Sequence, residues 1–341
     1  MPLRRGEFIK HVAGASAALA GSASAGSAAP ATGAILKRKF GRHPDEVSAL
    51  GIGGHHLGDA TSPGDAAAIV HEAVDAGITF CDNAWEYNDH RSEDWLGRAL
   101  RGGYRERVFL MTKVCTHGRD ASVAMTQLEE SLRRLGTDHL DLWQIHAVVY
   151  DNDPDLAYRA GGVIEALDRA KGQGKVRYVG FSGHKDPRIH KRMLDLGYAW
   201  DAVQMPLNAF DAQFRSFQQL VVPEAVRRGI AVLGMKPFNG RGQPFHRGDV
   251  KLTPEQALRY AMSVPGVTTT ITGMESLAVL RQNVEIARSF VPMDVAEMKA
   301  SIAAAAPFAG DGRFETYKTS LAFDDVVTRQ MHGMPLGGAN A

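Results

Sequence analysis

Three apolar runs in this sequence stop on a side chain that can exchange protons: 'ITFCD' on Asp82, 'VFLMTK' on Lys113 and 'LDLWQIH' on His146. Tyr87 follows Asp82 by five residues, near enough to reach the same place from the next loop. Taken singly, each has a plain structural explanation: a turn former, a solvated strand end, a satisfied core imidazole, loop packing. Their joint occurrence on successive runs asks for a shared cause. A phenol titrates at about 10, so alone it is a sluggish acid. A neighbouring ammonium stabilises its anion, a carboxylate holds that ammonium charged and in place, and an imidazole can orient a polarised oxygen. Such a set suits proton delivery to the alkoxide left when hydride adds to a carbonyl. No convincing Ser/His/Asp nucleophile is present.

For these groups to meet, the runs that carry them must lie parallel, with their C-terminal ends on one face. From Ile35 onward apolar β-type runs alternate with amphipathic stretches, which is the pattern of βα units. The strands are predicted at 50–54, 78–82, 108–113, 140–146, 176–182, 202–206, 230–235 and 268–272. Eight such units predict an α/β fold, the (β/α)8 TIM barrel, whose active sites lie at the strand C-termini. 'ILKRKF', a turn at 'GRHPDE' and 'VSAL' predict a short β-hairpin before the first strand. Helix starts are read at Ser62-Pro63 and at Thr253-Pro254, with Gln256 placed for a capping box. Val123, Leu128, Leu132 and Leu135 trace one helical face that Gly136 closes. The barrel domain is expected over 35–310. Residues 311–341 are expected as a tail over or near the barrel mouth, and everything from Ala305 reads as irregular.

'GITFCDNAWEYNDHRSEDWLGRAL' (77–100), 'FLMTKV' and 'DLWQIH' together resemble the aldo-keto reductase family, in which Asp and Tyr stand five apart and Ser-Glu precedes a Leu-Gly helix. The similarity runs from about Leu50 to Arg288. It implies an NAD(P)H-dependent oxidoreductase that reduces an aldehyde or ketone, or a sugar, or oxidises the matching alcohol, with Tyr87 as general acid/base beside Asp82, Lys113 and His146. A cofactor-binding regulatory or redox-sensing module with little turnover is the alternative.

The same resemblance places the cofactor. Gly53, Gly54, Asp82, Ser182, Gln204, Met235, Lys236, Pro237, Gly240, Arg241, Gly273, Gln282 and Asn283 are the implied contacts. The pattern slips in places. Gly183 stands where the family has Asn, with His184 as a candidate replacement, and Met235 stands where a Tyr commonly stacks on the nicotinamide. Gly273 and Val279 stand where many relatives place cations for the 2′-phosphate, with Arg281 or Lys236 as candidate substitutes. NADP(H) is favoured over NAD(H), and no GxGxxG fingerprint suggests a Rossmann dehydrogenase. His55 and Trp85 are expected to wall the substrate pocket. No metal is called for.

With 39 Lys+Arg against 38 Asp+Glu, nothing in the charge suggests nucleic acid as a partner. Cys81 and Cys115 are too few for a disulfide framework or a four-thiolate site. The first residues, 'RRGEFIK' and then 'HVAGASAALAGSASAGSAAPA', have signal-peptide architecture over 1–29. The paired arginines resemble a twin-arginine export signal, although Gly6 and Glu7 both separate them from Phe8. The expectation is passage through the Tat translocation machinery to the periplasm or cell exterior, with no stable membrane insertion. The alternative is an Ala-rich cytoplasmic tail.

Overall fold

The computed structural model describes residues 33–239, 250–321, 323 and 326–334. Eight parallel strands close a barrel: β3 (Leu50–Gly53), β4 (Phe80–Asp82), β5 (Phe109–Val114), β6 (Leu140–Ile145), β7 (Val176–Ser182), β8 (Ala202–Pro206), β9 (Ala231–Met235) and β10 (Val267–Thr272). β10 pairs with β3 to complete the ring. Each lies within a residue or two of its predicted run. At the first run the strand stops at Gly53, and Gly54–Leu57 forms a one-turn helix. A Cβ on Gly54 would lie 2.4 Å from the Asp82 carbonyl oxygen, so glycine is what lets these two strand ends approach.

The predicted hairpin is β1 (Lys37–Lys39) and β2 (Glu46–Ser48). It plugs the barrel at the N-terminal ends of the strands. Phe40 packs on Phe109 with centroids 4.7 Å apart, within a buried cluster that includes Val47, Phe80 and Leu142. Gly41, at φ +57°, lies against the backbone of Gly229 and Ala231, where a side chain has no room.

Outer helices follow the expected cues. Ser62 caps Pro63–Asp75 by accepting from the Asp65 amide, and Thr253 with Gln256 forms a full capping box before Pro254–Ser263. The helix Ala121–Leu135 ends on Gly136 at φ +66°. Its buried face carries Ala121, Ala124, Leu128, Leu132 and Leu135, whereas Val123, five residues before Leu128, lies well round the helix from that face and is exposed. Gly97 of the helix Arg91–Ala99 packs so closely on the next helix that a Cβ would meet the Arg134 carbonyl oxygen at 2.2 Å.

The C-terminal segment departs most from expectation. Residues expected to be irregular from Ala305 continue the helix Val295–Ala309, with Pro307 in its last turn. Beyond it, Glu315, Tyr317 and Lys318 are buried. Lys318 Nζ lies 2.7 Å from Asp211 and 2.8 Å from Glu315, and the Tyr317 hydroxyl donates to Glu315 at 2.9 Å and accepts from Asn208 at 3.3 Å. Further on, Asn152 donates to the His332 carbonyl. The segment is thus seated on the loops after β8 and β6, at the C-terminal end of the barrel.

Candidate active site

Asp82 ends β4, Lys113 is the penultimate residue of β5, and His146 follows β6 directly. The parallel register brings them to one rim. Lys113 is almost fully buried and donates to Asp82 Oδ1 at 2.5 Å, to the Asn83 carbonyl at 2.9 Å and to the Tyr87 hydroxyl at 3.1 Å. All three Lys113 protons are therefore spent, one of them on the phenol. Tyr87 lies edge-on to His146, centroids 5.5 Å apart, and edge-on to His55 at 5.4 Å. The four residues and His55 form one cluster.

The electrostatics differ from the simplest reading of the sequence. Burial first, and then the carboxylates of Asp82 and Glu86, push the Tyr87 hydroxyl well above its ordinary value. Burial draws the Lys113 ammonium below its ordinary value against the pull of Asp82. Lys113 is neutralised by Asp82 before it reaches Tyr87, so the phenol keeps its proton at neutral pH. That is the form needed to donate.

Two residues join the site that the sequence did not single out. Glu86 Oε1 lies 2.6 Å from His146 Nδ1. Burial raises the Glu86 carboxyl, but the imidazole and a hydrogen bond from Cys115 outweigh it and bring it down to about 2. Glu86 directly precedes Tyr87 and Cys115 stands two residues beyond Lys113, so adjacency to the proton-exchanging residues was the available signal. Trp85, by contrast, is not at the cluster. Its indole donates to Glu130 at 2.8 Å and packs beneath Arg134, against the helix Ala121–Leu135.

Around the rest of the rim lie the residues expected to hold a dinucleotide. Gln204 is buried. Its amide nitrogen donates to Asp82 Oδ1 at 3.2 Å and faces the Met235 sulfur at 3.7 Å, while its amide oxygen is buried with no hydrogen-bond partner. Ser182 stays close to the 145–147 loop, accepting from the Ala147 amide at 3.4 Å. At Gly183 a Cβ would lie 2.3 Å from the Val148 carbonyl oxygen and 2.5 Å from the His190 ring, so the Asn of the family pattern cannot be built here. His184 is half-buried, its Nε2 buried without a hydrogen bond, and desolvation, then the charge of Lys236, holds its ring well below its ordinary value.

Lys236, at φ +57°, places its ammonium 5.3 Å above the Tyr317 ring and 5.9 Å above Phe323. It has no carboxylate partner among the described residues, and burial, then the charge of Lys113, brings it down to about 8. Pro237 is buried beside it. Gly240 and Arg241 lie outside the described residues. Asn283 is buried and donates to the Gly273 carbonyl at 3.1 Å, and Gln282 is exposed. A Cβ on Gly53 would meet the Thr272 carbonyl oxygen at 2.8 Å, which is a strand-packing reason for that glycine. Arg281 is not a standing phosphate cation: it makes a paired contact to Glu72 at 2.7 and 2.9 Å.

Residues 49–244 match the model of the Aldo/keto reductase family. The chain belongs to this family. It is 26% identical over 293 residues to an uncharacterized oxidoreductase, YqkF, of Bacillus subtilis, covering 75% of this chain and 92% of that protein. A putative aldo-keto reductase from Pseudomona aeruginosa shares 26% identity at a TM-score of 0.62, over 75% of this chain and 96% of that one. The holo form of the aldo-keto reductase AKR11C1 from Bacillus halodurans matches in fold, with a TM-score of 0.66 at 24% identity, over 79% and 96% of the two chains. This aldo/keto reductase is an oxidoreductase, and NAD(P)H-dependent reduction of a carbonyl is the reaction its family and barrel support.

One expectation is corrected. Periplasmic localisation and passage through the Tat machinery rested on residues 1–29, which lie outside the described residues. The family match begins at residue 49 and bears on a barrel enzyme, with nothing in it that points to export. Among the described residues no helix is long and apolar enough to cross a membrane. An Ala-rich, basic-ended stretch satisfies the loose compositional pattern of a leader without the specific spacing of the twin-arginine motif, and the intervening Gly6 and Glu7 mark that difference.

Proposed function

We propose that Tyr87 is the proton donor in this reduction, with Lys113, Asp82 and His146 as its catalytic partners. The observation that carries the reading is the Tyr87 hydroxyl held 3.1 Å from a buried Lys113 that Asp82 locks in place. A carbonyl oxygen placed between Tyr87 and His146 would accept from both. Negative charge growing on that oxygen would be met by donors already aligned in a water-poor site. Tyr87 would then pass its proton to the oxygen, and Lys113 would stabilise the phenolate left behind.

A bound nicotinamide nucleotide supplies the hydride. The unpartnered Gln204 oxygen suits the N–H of a carboxamide, Met235 offers a polarisable face, and Ser182 lies at the same rim. Lys236, with Pro237 and the Gly240–Arg241 stretch, is proposed for the pyrophosphate. Gly273, Gln282 and Asn283 are proposed for the adenine end. NADP(H) is preferred in this reading, because an exposed pair such as Arg281–Glu72 is weak and a 2′-phosphate can replace Glu72. The substrate is a small aldehyde, ketone or sugar, walled by His55.

The test is nucleotide oxidation by the purified protein across a panel of aldehydes, ketones, open-chain sugars and quinones, with nucleotide binding measured in parallel. Turnover with at least one carbonyl class is expected. Nucleotide binding without turnover on any of them would replace the reductase by a nucleotide-sensing module.

A further inference from the structure

Beside the hydride-transfer cluster lie three donors of different chemistry: the Glu86 carboxylate, the Cys115 thiol and the His146 imidazole. One donor atom from each lies within 4.8 Å of the others. They come from three separate segments, the loop after β4 and the residues just past β5 and β6. We propose that Glu86, Cys115 and His146 form a site for a thiophilic divalent cation of the Zn2+ type, and that its occupation reversibly blocks carbonyl reduction.

The donor set matches such an ion. Nitrogen and oxygen ligands bind Zn2+ at about 2.0–2.2 Å and thiolate at about 2.3 Å, which puts tetrahedral donors about 3.3–3.8 Å apart. The present spacing therefore needs side-chain adjustments of about an ångström or less. Glutamate and thiolate carry two negative charges, which offset the dication close to Lys113 and Arg119.

The backbones behind the ligands are held. The Gln127 side chain clamps Cys115 from both sides, accepting from its amide at 2.9 Å and donating to its carbonyl at 2.8 Å. Arg119, paired with Asp153, donates to the carbonyls of His146 and Ala147, each at 2.7 Å. Ligands fixed by outer contacts of this kind lose little freedom when a metal arrives.

The step balances without redox change. The Cys115 S–H bond gives way to a metal–sulfur bond and its proton leaves to solvent. The Glu86–His146 contact gives way to one bond from each group to the metal, Nε2 keeps its proton, and any proton on Nδ1 leaves to solvent with that of Cys115. His146 is then tied to the ion, and the fourth coordination position opens toward Tyr87, where the carbonyl would sit. The inhibitory consequence rests on the proposed role of His146, but the binding does not.

Tag-free full-length protein titrated with Co2+ reports the site through thiolate-to-cobalt charge-transfer absorption, with Zn2+ used to displace it and to inhibit turnover. One equivalent of Co2+ with that band is expected, together with Zn2+ inhibition reversed by a chelator. Cys115→Ser should lose the band and weaken Zn2+ inhibition by about 10–100-fold, and Glu86→Gln should weaken inhibition while keeping the band. Cys81 is fully buried, its thiol pushed up to about 12 by that burial, so the band can be assigned to Cys115. Absence of the band in the parent protein, or equal Zn2+ inhibition of Cys115→Ser, overturns the site. A band with undiminished turnover overturns the inhibitory half. If no carbonyl is reduced at all, the proposed function fails, while the cobalt band still decides the site.

Discussion

The two halves of the barrel rim are built by different means. On the β4–β6 side, Asp82, Lys113 and His146 are strand-end residues joined by short direct contacts, and Tyr87 arrives from a loop five residues downstream. On the β7–β10 side, Ser182, Gln204 and Met235 are strand residues too, but the buried Gln204 amide oxygen has no hydrogen-bond partner, and the Lys236 ammonium just past β9 has no carboxylate partner among the described residues and waits over aromatic rings contributed by the C-terminal segment. The proton-transfer half is self-sufficient in the protein alone. The nucleotide half is finished only by its ligand.

Substitutions should therefore separate cleanly. Lys113→Met should have the largest effect, leaving Asp82 buried without its partner. Breaking a buried pair this way costs about 3–5 kcal/mol, so denaturant unfolding should show a large loss of stability, and turnover should fall by about 10²–10³. If stability is unchanged, the rim is not self-sufficient on this side.

Gly183→Asn restores the family residue at a place with no room for it. Overpacking of about 1–3 kcal/mol is expected, read as a lowered melting temperature with no gain in nucleotide affinity. Tighter nucleotide binding at no cost in stability would mean that this half of the rim yields to accept a side chain.

Lys236 sharpens the contrast through pH. Burial has brought its ammonium down to about 8, so the nucleotide-free protein loses that charge as pH rises through this value. Phosphate binding favours the charged form. Nucleotide affinity should then fall above about pH 8, by up to about tenfold per pH unit. Lys236→Met should bind less tightly below that pH and show no such dependence. The smallest effect is expected for Arg281→Ala: a few-fold weaker NADPH binding, because an exposed cation in solvent contributes little, with NADH unchanged.

What was legible in the sequence follows the same division. Strands ending on Asp82, Lys113 and His146 are local events, and period and spacing reveal them. The hairpin and the caps at Ser62 and Thr253 are local too. Val123 reads as a core position only by its apolar type: its step of five to Leu128 takes it off the face that Ala121, Ala124 and Leu128 share. Trp85 reads from its loop position as a pocket wall, and no local pattern shows that its indole meets Glu130 and Arg134 from the next helix. The burial of Glu315, Tyr317 and Lys318 depends on Asn208 and Asp211, about a hundred residues away. No local pattern encodes that meeting. Glu86 was overlooked because its partner, His146, comes from a different strand end.

The central claim, that Tyr87 is the proton donor, is tested most directly by single-turnover stopped-flow on Tyr87→Phe. The protein is loaded with NADPH and mixed with a saturating aldehyde, and nucleotide fluorescence follows hydride transfer. The account expects unaltered nucleotide affinity and hydride transfer slowed by about 10²–10⁴. Transfer at the parent rate would contradict it.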